Sequence, residues 1–212
     1  MDETESAPRT NPAAAGREAR RSAILDAAIE VFIERGFAAA KIDDVARAVG
    51  LAKGTVYLYF DSKEALFEAA VRQQIIPVVA TIEAAHDDHD GDVQSLLKAQ
   101  LLTAYEHIVT PRPRSIMRCL IAEGARFPSL RRYYHETVIT RVSGAFRRTI
   151  DLGVARGEFR NVDSDSLARV IMGPAVLGSV WTMLFDDIEP LDLDAHATAH
   201  IDQALLGLLT RS

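Results

Sequence analysis

Residues 41–66 constrain the fold of this chain more than any other part of the sequence. They read KIDDVARAVGLAKGTVYLYFDSKEAL. The first apolar residues repeat at the i, i+3, i+4, i+7 spacing of an amphipathic helix: they are Ile42, Val45, Ala46 and Val49. Gly50 follows, and glycine tolerates the positive φ with which helices often end. A second short helix is predicted directly after this turn.

The second helix is predicted over about residues 53–59, with Val56 and Phe60 available for the core. Two short helices joined in this way form a helix-turn-helix, whose second helix enters the DNA major groove by its N-terminal end. The other residue types suit that task, because glycine allows close approach, lysine neutralises phosphates, and hydroxyl groups reach base edges or phosphate oxygens. The predicted DNA-binding residues are Lys41, Lys53, Gly54, Thr55, Tyr57, Leu58, Tyr59 and Lys63.

This segment and the helix before it strongly resemble the DNA-binding domain of the TetR/AcrR family of transcriptional repressors. The resemblance covers about residues 17–70 with all spacings intact. It implies a helix-turn-helix domain followed by a helical domain that binds a ligand and forms a dimer. The residues that carry it are Gly36-Phe37, Ile42-Asp43-Asp44-Val45-Ala46, Ala48-Val49-Gly50-Leu51, Lys53-Gly54-Thr55-Val56-Tyr57, Tyr59-Phe60 and Lys63-Glu64-Ala65-Leu66.

One position departs from the family pattern. Lys41 stands where the family usually has Thr or Ser, which caps the first helix of the motif and touches a phosphate. Lysine can still reach a phosphate, but it cannot cap the helix in the same way. We therefore expect Asp43 to stabilise the helix start, because carboxylates are favourable in the first turn.

The composition is that of a soluble globular protein: 48% of the 212 residues are hydrophobic and 25% are charged. The single cysteine, Cys119, excludes an intramolecular disulfide, and its apolar context favours an inert buried thiol. No apolar run approaches the roughly 18 residues that cross a membrane, and the N-terminus lacks the basic-then-apolar order of a signal peptide. We therefore expect a cytoplasmic protein.

The formal net charge of −6 is an objection to DNA binding, because such proteins carry a basic patch. However, DNA senses charge within a Debye length of about 8 Å, so a local basic cluster suffices. Acidic residues concentrate elsewhere, at residues 86–90 and 186–189. The arginines ahead of the first helix could form a DNA-binding arm or a solvated helix start, and the sequence leaves both open. The local basic residues are Lys41, Arg47, Lys53 and Lys63, with Arg17, Arg20 and Arg21 ahead of them.

The periodicity predicts an all-α protein of about nine helices and no strands. Residues 1–16 read as a disordered tail, residues 17–62 as the helix-turn-helix domain, and residues 63–212 as a helical ligand-binding and dimerisation domain. A break is expected at Pro111-Arg112-Pro113, and one long helix over residues 128–154.

Residues 86–92 combine histidines and aspartates, which is compatible with either a metal site or a charged loop. The loop is favoured, because no helical scaffold fixes ligand geometry there. We predict no metal ion and no cofactor.

The last two predicted helices, about residues 163–185 and 194–209, carry more apolar surface than one buried face requires. Such helices most simply bury the surplus in a two-fold dimer. The family resemblance implies the same, a four-helix bundle of these helices and their symmetry mates. The predicted interface residues are Leu177, Trp181, Leu184, Ile201, Ala204, Leu205 and Leu208.

The middle helices carry large, adaptable or aromatic side chains that could line a pocket for a small molecule. Ordinary core packing places the same residue types on such helices, so each candidate has that alternative. The resemblance implies that an effector, which we expect to be apolar or aromatic, shifts the helix joining the two domains. The candidates are Phe67, Leu101, Tyr105, Met117, Phe127, Tyr134, Phe146, Met172 and Trp181.

The resemblance therefore implies a ligand-responsive repressor. A homodimer would occupy an approximately palindromic operator in double-stranded DNA, and a small-molecule effector would release it. An activator or a co-repressor-dependent regulator of the same fold is the alternative. An enzyme is not expected, because the histidine pair in HATAH, residues 196–200, lacks the glutamate of a zinc protease. An adaptor that has lost DNA binding is not favoured, because the predicted DNA-reading residues are all present.

Overall fold

The computed structural model describes residues 12–87, 91–108 and 110–210, and these residues are mainly helical. The helices are α1 (Pro12–Ala39), α2 (Ile42–Ala48), α3 (Lys53–Tyr57), α4 (Lys63–Gln74), α5 (Ile76–Asp87), α6 (Val93–Ile108), α7 (Pro111–Glu123), α8 (Pro128–Tyr134), α9 (Thr140–Ala155), α10 (Ser164–Leu184) and α11 (Leu193–Leu208). The chain divides into two compact units, the N-terminal unit (Met1–Ala70) and the C-terminal unit (Val71–Ser212). The division falls inside α4.

The prediction of an all-α protein is confirmed for the part of the chain that the structure describes. Its one β feature is an isolated bridge between Phe159 and Leu209. The described residues form eleven α-helices where about nine were expected. The helix after the helix-turn-helix is divided into α4 and α5 after Gln74, and the helix expected over residues 128–154 is divided into α8 and α9 by a π-helical turn. α1 begins at Pro12, so residues 12–16, which we predicted to belong to a disordered tail, are helical. The rest of the predicted tail, residues 1–11, lies outside the described residues.

Three phenylalanines form the centre of the N-terminal unit. The ring centroids of Phe32 and Phe37 are 5.3 Å apart, and those of Phe37 and Phe67 are 5.9 Å apart. Gly36 interrupts the helical path of α1 with a φ of 72°, a conformation that glycine adopts readily. Phe67, which we predicted to line the ligand pocket, is part of this core instead.

A chain of buried hydrogen bonds connects three helices of the C-terminal unit. The side-chain amide of Gln100 on α6 donates to the Ile82 carbonyl on α5 at 3.0 Å. The Thr149 hydroxyl on α9 donates to the Gln100 side-chain oxygen at 2.9 Å. Because a buried polar group without a partner is costly, these bonds fix the relative register of α5, α6 and α9.

The region from α7 to α9 differs from the prediction in two ways. Pro111 and Pro113 do not interrupt a helix, since α7 begins at Pro111 and its first turn has no need of their missing N–H groups. The expected helix over residues 128–154 contains a π-helical turn at His135–Ile139, and the Thr140 hydroxyl donates to the His135 carbonyl at 3.0 Å. Side-chain periodicity does not reveal a π turn, because its neighbours remain helical.

α10 corrects the expectation about membrane-length segments. Its 21 residues are long and apolar enough to cross a membrane by length and composition alone, although only a third of its most apolar window is buried within the chain. The core helix of a soluble protein can have the same length and composition. α10 packs against α11. Gly178 allows that approach, because the His196 ring of α11 would lie 3.3 Å from a Cβ at this position.

His200 of α11 is a buried titratable group that faces Tyr105 of α6. Its Nδ1 lies 3.0 Å from the Tyr105 hydroxyl, and burial raises the pKa of Tyr105 to about 12. Burial, with the charge of His196, lowers the pKa of His200 below its usual value near 6.5. The C-terminal unit therefore contains a neutral imidazole whose protonation the folded state disfavours.

We expect the stability of the C-terminal unit to fall as the pH drops from 7 to 5. The unfolded chain takes up a proton on His200 below about pH 6.5, whereas the folded chain resists it, so acid favours unfolding. Thermal melts of the wild type and of His200→Gln at both pH values test this. The wild type should lose more stability than the variant, and equal losses would contradict the role of His200.

Candidate nucleic-acid interface

The turn between α2 and α3 has the hydrogen bonds of a Schellman motif. The Gly50 amide donates to the Arg47 carbonyl at 3.2 Å, and the Leu51 amide donates to the Ala46 carbonyl at 2.9 Å. Gly50 has a φ of 66°, as the sequence predicted. This motif ends α2 sharply and sets the direction in which the chain enters α3.

A single carboxylate organises the start of α2. Asp44 is buried, and its Oδ2 accepts a hydrogen bond from the Lys41 amide at 3.2 Å. Its Oδ1 lies 3.1 Å from the Arg35 guanidinium of α1 and 3.4 Å from that of Arg47. Asp43 lies in the first turn of α2, where we expected its carboxylate to be favourable, and Asp44 at N3 adds the hydrogen bond that reaches back to the capping residue.

α3 presents a short exposed tip. Val56 is fully buried and Phe60 is 5% exposed, as predicted, and they anchor the helix to the core. Tyr57 is 44% exposed and Leu58 is 76% exposed. α3 ends at Tyr57 rather than at residue 59, which leaves Tyr59 half-buried beyond its end.

Lys53 is held at the start of α3 by an acidic neighbour. Its ammonium group lies 3.0 Å from Asp43 Oδ2, and both side chains are exposed. The hydrogen bond from Lys53 to Asp43 and the charge of Asp43 raise the pKa of Lys53. The pair keeps the lysine charged and positions it beside the exposed tip, where a phosphate could replace the carboxylate.

Lys63 has a structural role that the sequence did not reveal. Its ammonium group donates to the carbonyls of Phe37 at 2.6 Å and Ala38 at 2.9 Å, and lies 4.6 Å from the centre of the Phe37 ring. It therefore satisfies carbonyls at the end of α1. Lys63 also lines an open concavity together with Lys41 and Tyr57, so its predicted contact with phosphate stays a prediction.

The three arginines discussed as a possible arm lie within α1. The guanidinium of Arg17 lies 5.8 Å from the centre of the Tyr59 ring, and that of Arg21 lies 5.5 Å from the centre of the Phe60 ring. Arg20 is exposed. The start of α1 thus brings two positive charges to the residues that follow α3, on a helical scaffold rather than a separate arm.

Gly54 has no packing reason to be a glycine. A Cβ built at this position would meet no atom within 4 Å, and the φ is not in the left-handed region. Glycine in a helix costs about 1 kcal/mol relative to alanine. Neither packing nor backbone conformation within the described residues therefore requires glycine here, and the predicted close approach of DNA stays a prediction.

We expect Gly54→Ala to leave the fold intact, or to stabilise it by about 0.5–1 kcal/mol, while weakening DNA binding by about tenfold. The reason is that the added methyl group occupies space that only an approaching ligand needs. Thermal melts and DNA titrations of the same preparations test the two effects separately. A variant that binds DNA as tightly as the wild type would remove this role of Gly54.

The C-terminal unit contains an apolar cavity of about 90 Å³. Only two of its lining residues have polar side chains, His107 and Tyr134, among the residues that the structure describes. Burial raises the pKa of Tyr134 to about 12. The His107 Nδ1 lies 2.8 Å from the Thr103 carbonyl, and because a carbonyl oxygen only accepts, Nδ1 is the donor of this bond. Five of the nine predicted pocket residues line this cavity: Leu101, Met117, Tyr134, Phe146 and Met172.

The other predicted pocket residues lie elsewhere. Phe67 belongs to the N-terminal core, and Tyr105 is bonded to His200. The Trp181 indole donates to the Glu189 carbonyl at 2.9 Å, and Phe127 precedes the first turn of α8. His107 was not predicted to line the cavity, although its spacing from Leu101 and Ala104 follows one helix face. It also missed lining residues of α5 and α9, among them Val78, Ile82 and Val142.

The exposed apolar surface of α10 and α11 differs in part from the predicted interface. Ile201 is 3% exposed and Leu208 is 1% exposed, so both pack within the chain and are not available to a partner. They face inwards because α11 packs against α6 and α10. The exposed apolar residues of this surface are Val170, Leu177 and Leu184, spaced by seven on α10, and Leu206 on α11.

Family models match both units of the chain. The model described as bacterial regulatory proteins of the tetR family matches residues 24–70. The model described as the C-terminal domain of tetracyclin repressor-like proteins matches residues 87–201. The first match contains α2 and α3 entirely, and the second contains most of the cavity lining.

Individual proteins resemble the chain over most of its length. The transcriptional repressor KstR2 of Rhodococcus jostii is 27% identical over 174 residues, which is 78% of this chain and 81% of KstR2. A protein from Saccharomonospora viridis assigned as a transcriptional regulator, solved with choline, has a TM-score of 0.74 at 20% identity and covers 92% of this chain and 100% of its own. FadR of Bacillus subtilis, solved with stearoyl-CoA, has a TM-score of 0.68 at 20% identity. The match covers 88% of this chain and 98% of the FadR chain.

Proposed function

We propose, for a chain that belongs to the TetR family of bacterial regulatory proteins, that it represses transcription as a homodimer bound to a palindromic operator and is released by a small-molecule effector. The family assignment makes the chain a DNA-binding transcriptional regulator with a helix-turn-helix and a ligand-binding domain. Repression, the dimer, the operator and the release by ligand are the parts that we add.

The exposed tip of α3 is the observation that carries this proposal. Its Gly54 has no packing role, its Tyr57 and Leu58 are exposed, and its Lys53 is held by a surface carboxylate that a phosphate can replace. The free amide groups at the start of a helix also favour an anion. These features fit insertion of the N-terminal end of α3 into the major groove, with Lys53 and Tyr57 against the backbone.

Selection of bound fragments from genomic DNA tests this function. The purified protein should enrich fragments that share an inverted repeat, one half-site for each recognition helix. A promoter carrying that repeat should be less active in cells that contain the protein. Absence of any enriched sequence would contradict operator binding, whereas higher promoter activity would identify an activator instead of a repressor.

A two-fold dimer through α10 and α11 would bring two copies of α3 together. The exposed residues Val170, Leu177 and Leu184 recur every seven positions along α10, which places them on one face. Leu206 extends apolar surface to α11. This revised face retains Leu177 and Leu184 from the sequence prediction, with half-buried Trp181, Ala204 and Leu205 beside it.

We expect Leu177→Glu to convert the dimer into monomers at micromolar concentration. Leu177 is 55% exposed in the single chain, so the charge should not disturb folding, but it would be desolvated in the dimer. Leu102→Glu, at a leucine of α6 that is 39% exposed, is the matched control. Light scattering after size exclusion measures both masses, and a dimeric Leu177→Glu variant would exclude this face.

The apolar cavity is the proposed effector site. A volume of about 90 Å³ is well below the roughly 300–1,000 Å³ of typical ligand pockets, so a ligand must widen it. Ile75, which directly follows α4, lines the cavity. A ligand that displaces Ile75 would thus act at the end of the helix that joins the two units. Release from DNA then requires that the ligand prefer the widened form and that this form bind DNA more weakly, and the coupling is reciprocal.

The relatives do not identify the effector. The proteins from Saccharomonospora viridis and Bacillus subtilis were solved with choline and stearoyl-CoA, which differ in charge and size. KstR2 supports the choice of repression over activation, because it is described as a repressor. We place the protein in the cytoplasm, where operator DNA is found, and assign it no enzymatic reaction.

A further inference from the structure

An arginine-rich stretch of this acidic chain lies outside the DNA-binding unit. Residues 111–134 contain six arginines and one glutamate, whereas the whole chain has a net charge of −6. They form α7 and α8. The single glutamate, Glu123, is the last residue of α7, and its carboxylate lies 3.8 Å from the Arg126 guanidinium. The operator proposal gives these arginines no role.

Two of these arginines line a pocket between α7 and α10. Its volume is about 270 Å³, and its lining consists of Arg114, Ser115 and Arg118 from α7 with Thr182 and Met183 from α10. Arg114 and Arg118 are one helical turn apart, so their guanidinium groups can converge on one ligand. Guanidinium groups bind carboxylate and phosphate in a bidentate manner. A serine hydroxyl adds a further donor for such an anion.

The polar pocket and the apolar cavity are lined by different residues of the same two helices, α7 and α10. Pro113 and Met117 line the apolar cavity, and each is followed in sequence by an arginine of the polar pocket. On α10, Val176 lines the cavity and Thr182 lines the pocket. At a rise of about 1.5 Å per residue, six residues separate the two sites by about 9 Å. A molecule with an apolar body and a charged end could occupy both.

We propose that the C-terminal unit binds an amphipathic anion, with its apolar part in the cavity and its carboxylate or phosphate group at Arg114 and Arg118. The proposal specifies the chemical class of the effector and rests on the proposed function only for the effect on DNA. The cavity alone would accept any small apolar compound. The arginines favour a ligand with a charged end, because an alcohol of the same length gives them no anion to bind.

Titration of the full-length dimer with three ligands of equal length tests the proposal. Dodecanoate, dodecyl phosphate and dodecanol share one alkyl chain and differ only at the end group. Binding below the micelle concentration is followed by calorimetry and by the fluorescence of Trp181, the single tryptophan, which precedes the pocket residue Thr182. At least one of the two anions should bind tenfold or more tightly than dodecanol, and their order distinguishes a carboxylate from a phosphate site.

The variant Arg114→Gln/Arg118→Gln should lose about tenfold or more in affinity for the preferred anion and should bind dodecanol as the wild type does. Arg131→Gln/Arg132→Gln is the matched control, because it removes the same charge from exposed residues of α8 that line neither site. It should retain wild-type affinity. Circular dichroism establishes that both variants are folded.

Three results would overturn the proposal: equal affinity for the anions and the alcohol, unchanged anion binding in the Arg114/Arg118 variant, or no binding at any chain length from about eight to sixteen carbons. The operator experiment is separate. If the anion binds as expected but no DNA is enriched, the proposed function fails and the ligand site stands. If DNA is bound and the anion is not, the ligand site fails and the proposed function stands.

Discussion

Replacing both Lys53 and Tyr57 with alanine is expected to weaken operator binding by about 100-fold, with the dimer and the fold unchanged. Lys53 lies at the start of α3 and Tyr57 at its end, and both side chains are exposed, so neither supports the core. Both changes would remove contacts with the DNA backbone: the lysine loses an ionic contact with a phosphate, and the tyrosine loses the hydrogen bond that its hydroxyl donates. Binding curves at several salt concentrations measure both the affinity and its salt dependence.

The salt dependence separates the two residues. Lys53→Ala should lower the slope of log affinity against log salt by about one, because one fewer counterion is released. Lys98→Ala removes the same charge from an exposed position of α6 and should change neither quantity. Asp43→Asn should raise affinity, because it frees Lys53 and removes a negative charge. Wild-type affinity and slope in Lys53→Ala/Tyr57→Ala would show that α3 does not read DNA.

Replacing Gly153 with alanine is expected to destabilise the C-terminal unit by about 2–4 kcal/mol. A Cβ at this position of α9 would lie 2.7 Å from two ring carbons of Phe159, a contact that real side chains do not make. Phe159 cannot move aside easily. It is 2% exposed, its amide donates to the Gly153 carbonyl at 3.0 Å, and the following amide donates to the Leu208 carbonyl at 2.8 Å.

Gly144→Ala is the matched control on the same helix. The nearest atom to its added Cβ would be the tip of the Arg148 side chain at 3.8 Å, so this change should be neutral or stabilise by about 0.5–1 kcal/mol. Urea unfolding followed by Trp181 fluorescence reports on the C-terminal unit. Gly153→Ala/Phe159→Leu should recover part of the loss, because it removes the ring that clashes. A Gly153→Ala variant as stable as Gly144→Ala would contradict the packing described.

The parts of the fold that were predictable depend on contacts close in sequence. The positive φ of Gly50 and the burial of Val56 and Phe60 all follow from spacing within one or two helical turns. The sequence offered Asp163 or Ser164 as the cap of α10, and the Asp163 carboxylate takes that role by accepting a hydrogen bond from the Ser166 amide at 3.4 Å. In each case the neighbour that fixes the residue lies a few positions away, so the sequence pattern contains the necessary information.

The features that were not predictable depend on contacts between distant segments. From the sequence alone, Lys63 was predicted to bind phosphate. Its contacts with the Phe37 and Ala38 carbonyls could not be predicted, because these residues lie about 25 positions earlier in the chain. Tyr105 lies on the same helix as the cavity residue Leu101, but its hydroxyl is directed to His200, 95 positions later. The sequence also could not show which apolar face of α11 packs within the chain. Ile201 and Leu208 were therefore predicted to lie in the dimer interface, although both are buried within the chain.

The separation between anchored and exposed residues in α3 has an evolutionary consequence. Val56 and Phe60 are buried and anchor α3 to the core, and Asp44 stabilises the start of α2. Tyr57 and Leu58, by contrast, are exposed. Substitution at the projecting positions costs little folding free energy, since exposed side chains contribute little to it. Under the proposed function, point mutations at Tyr57 and Leu58 can therefore change the target site without first requiring a gain in folding stability.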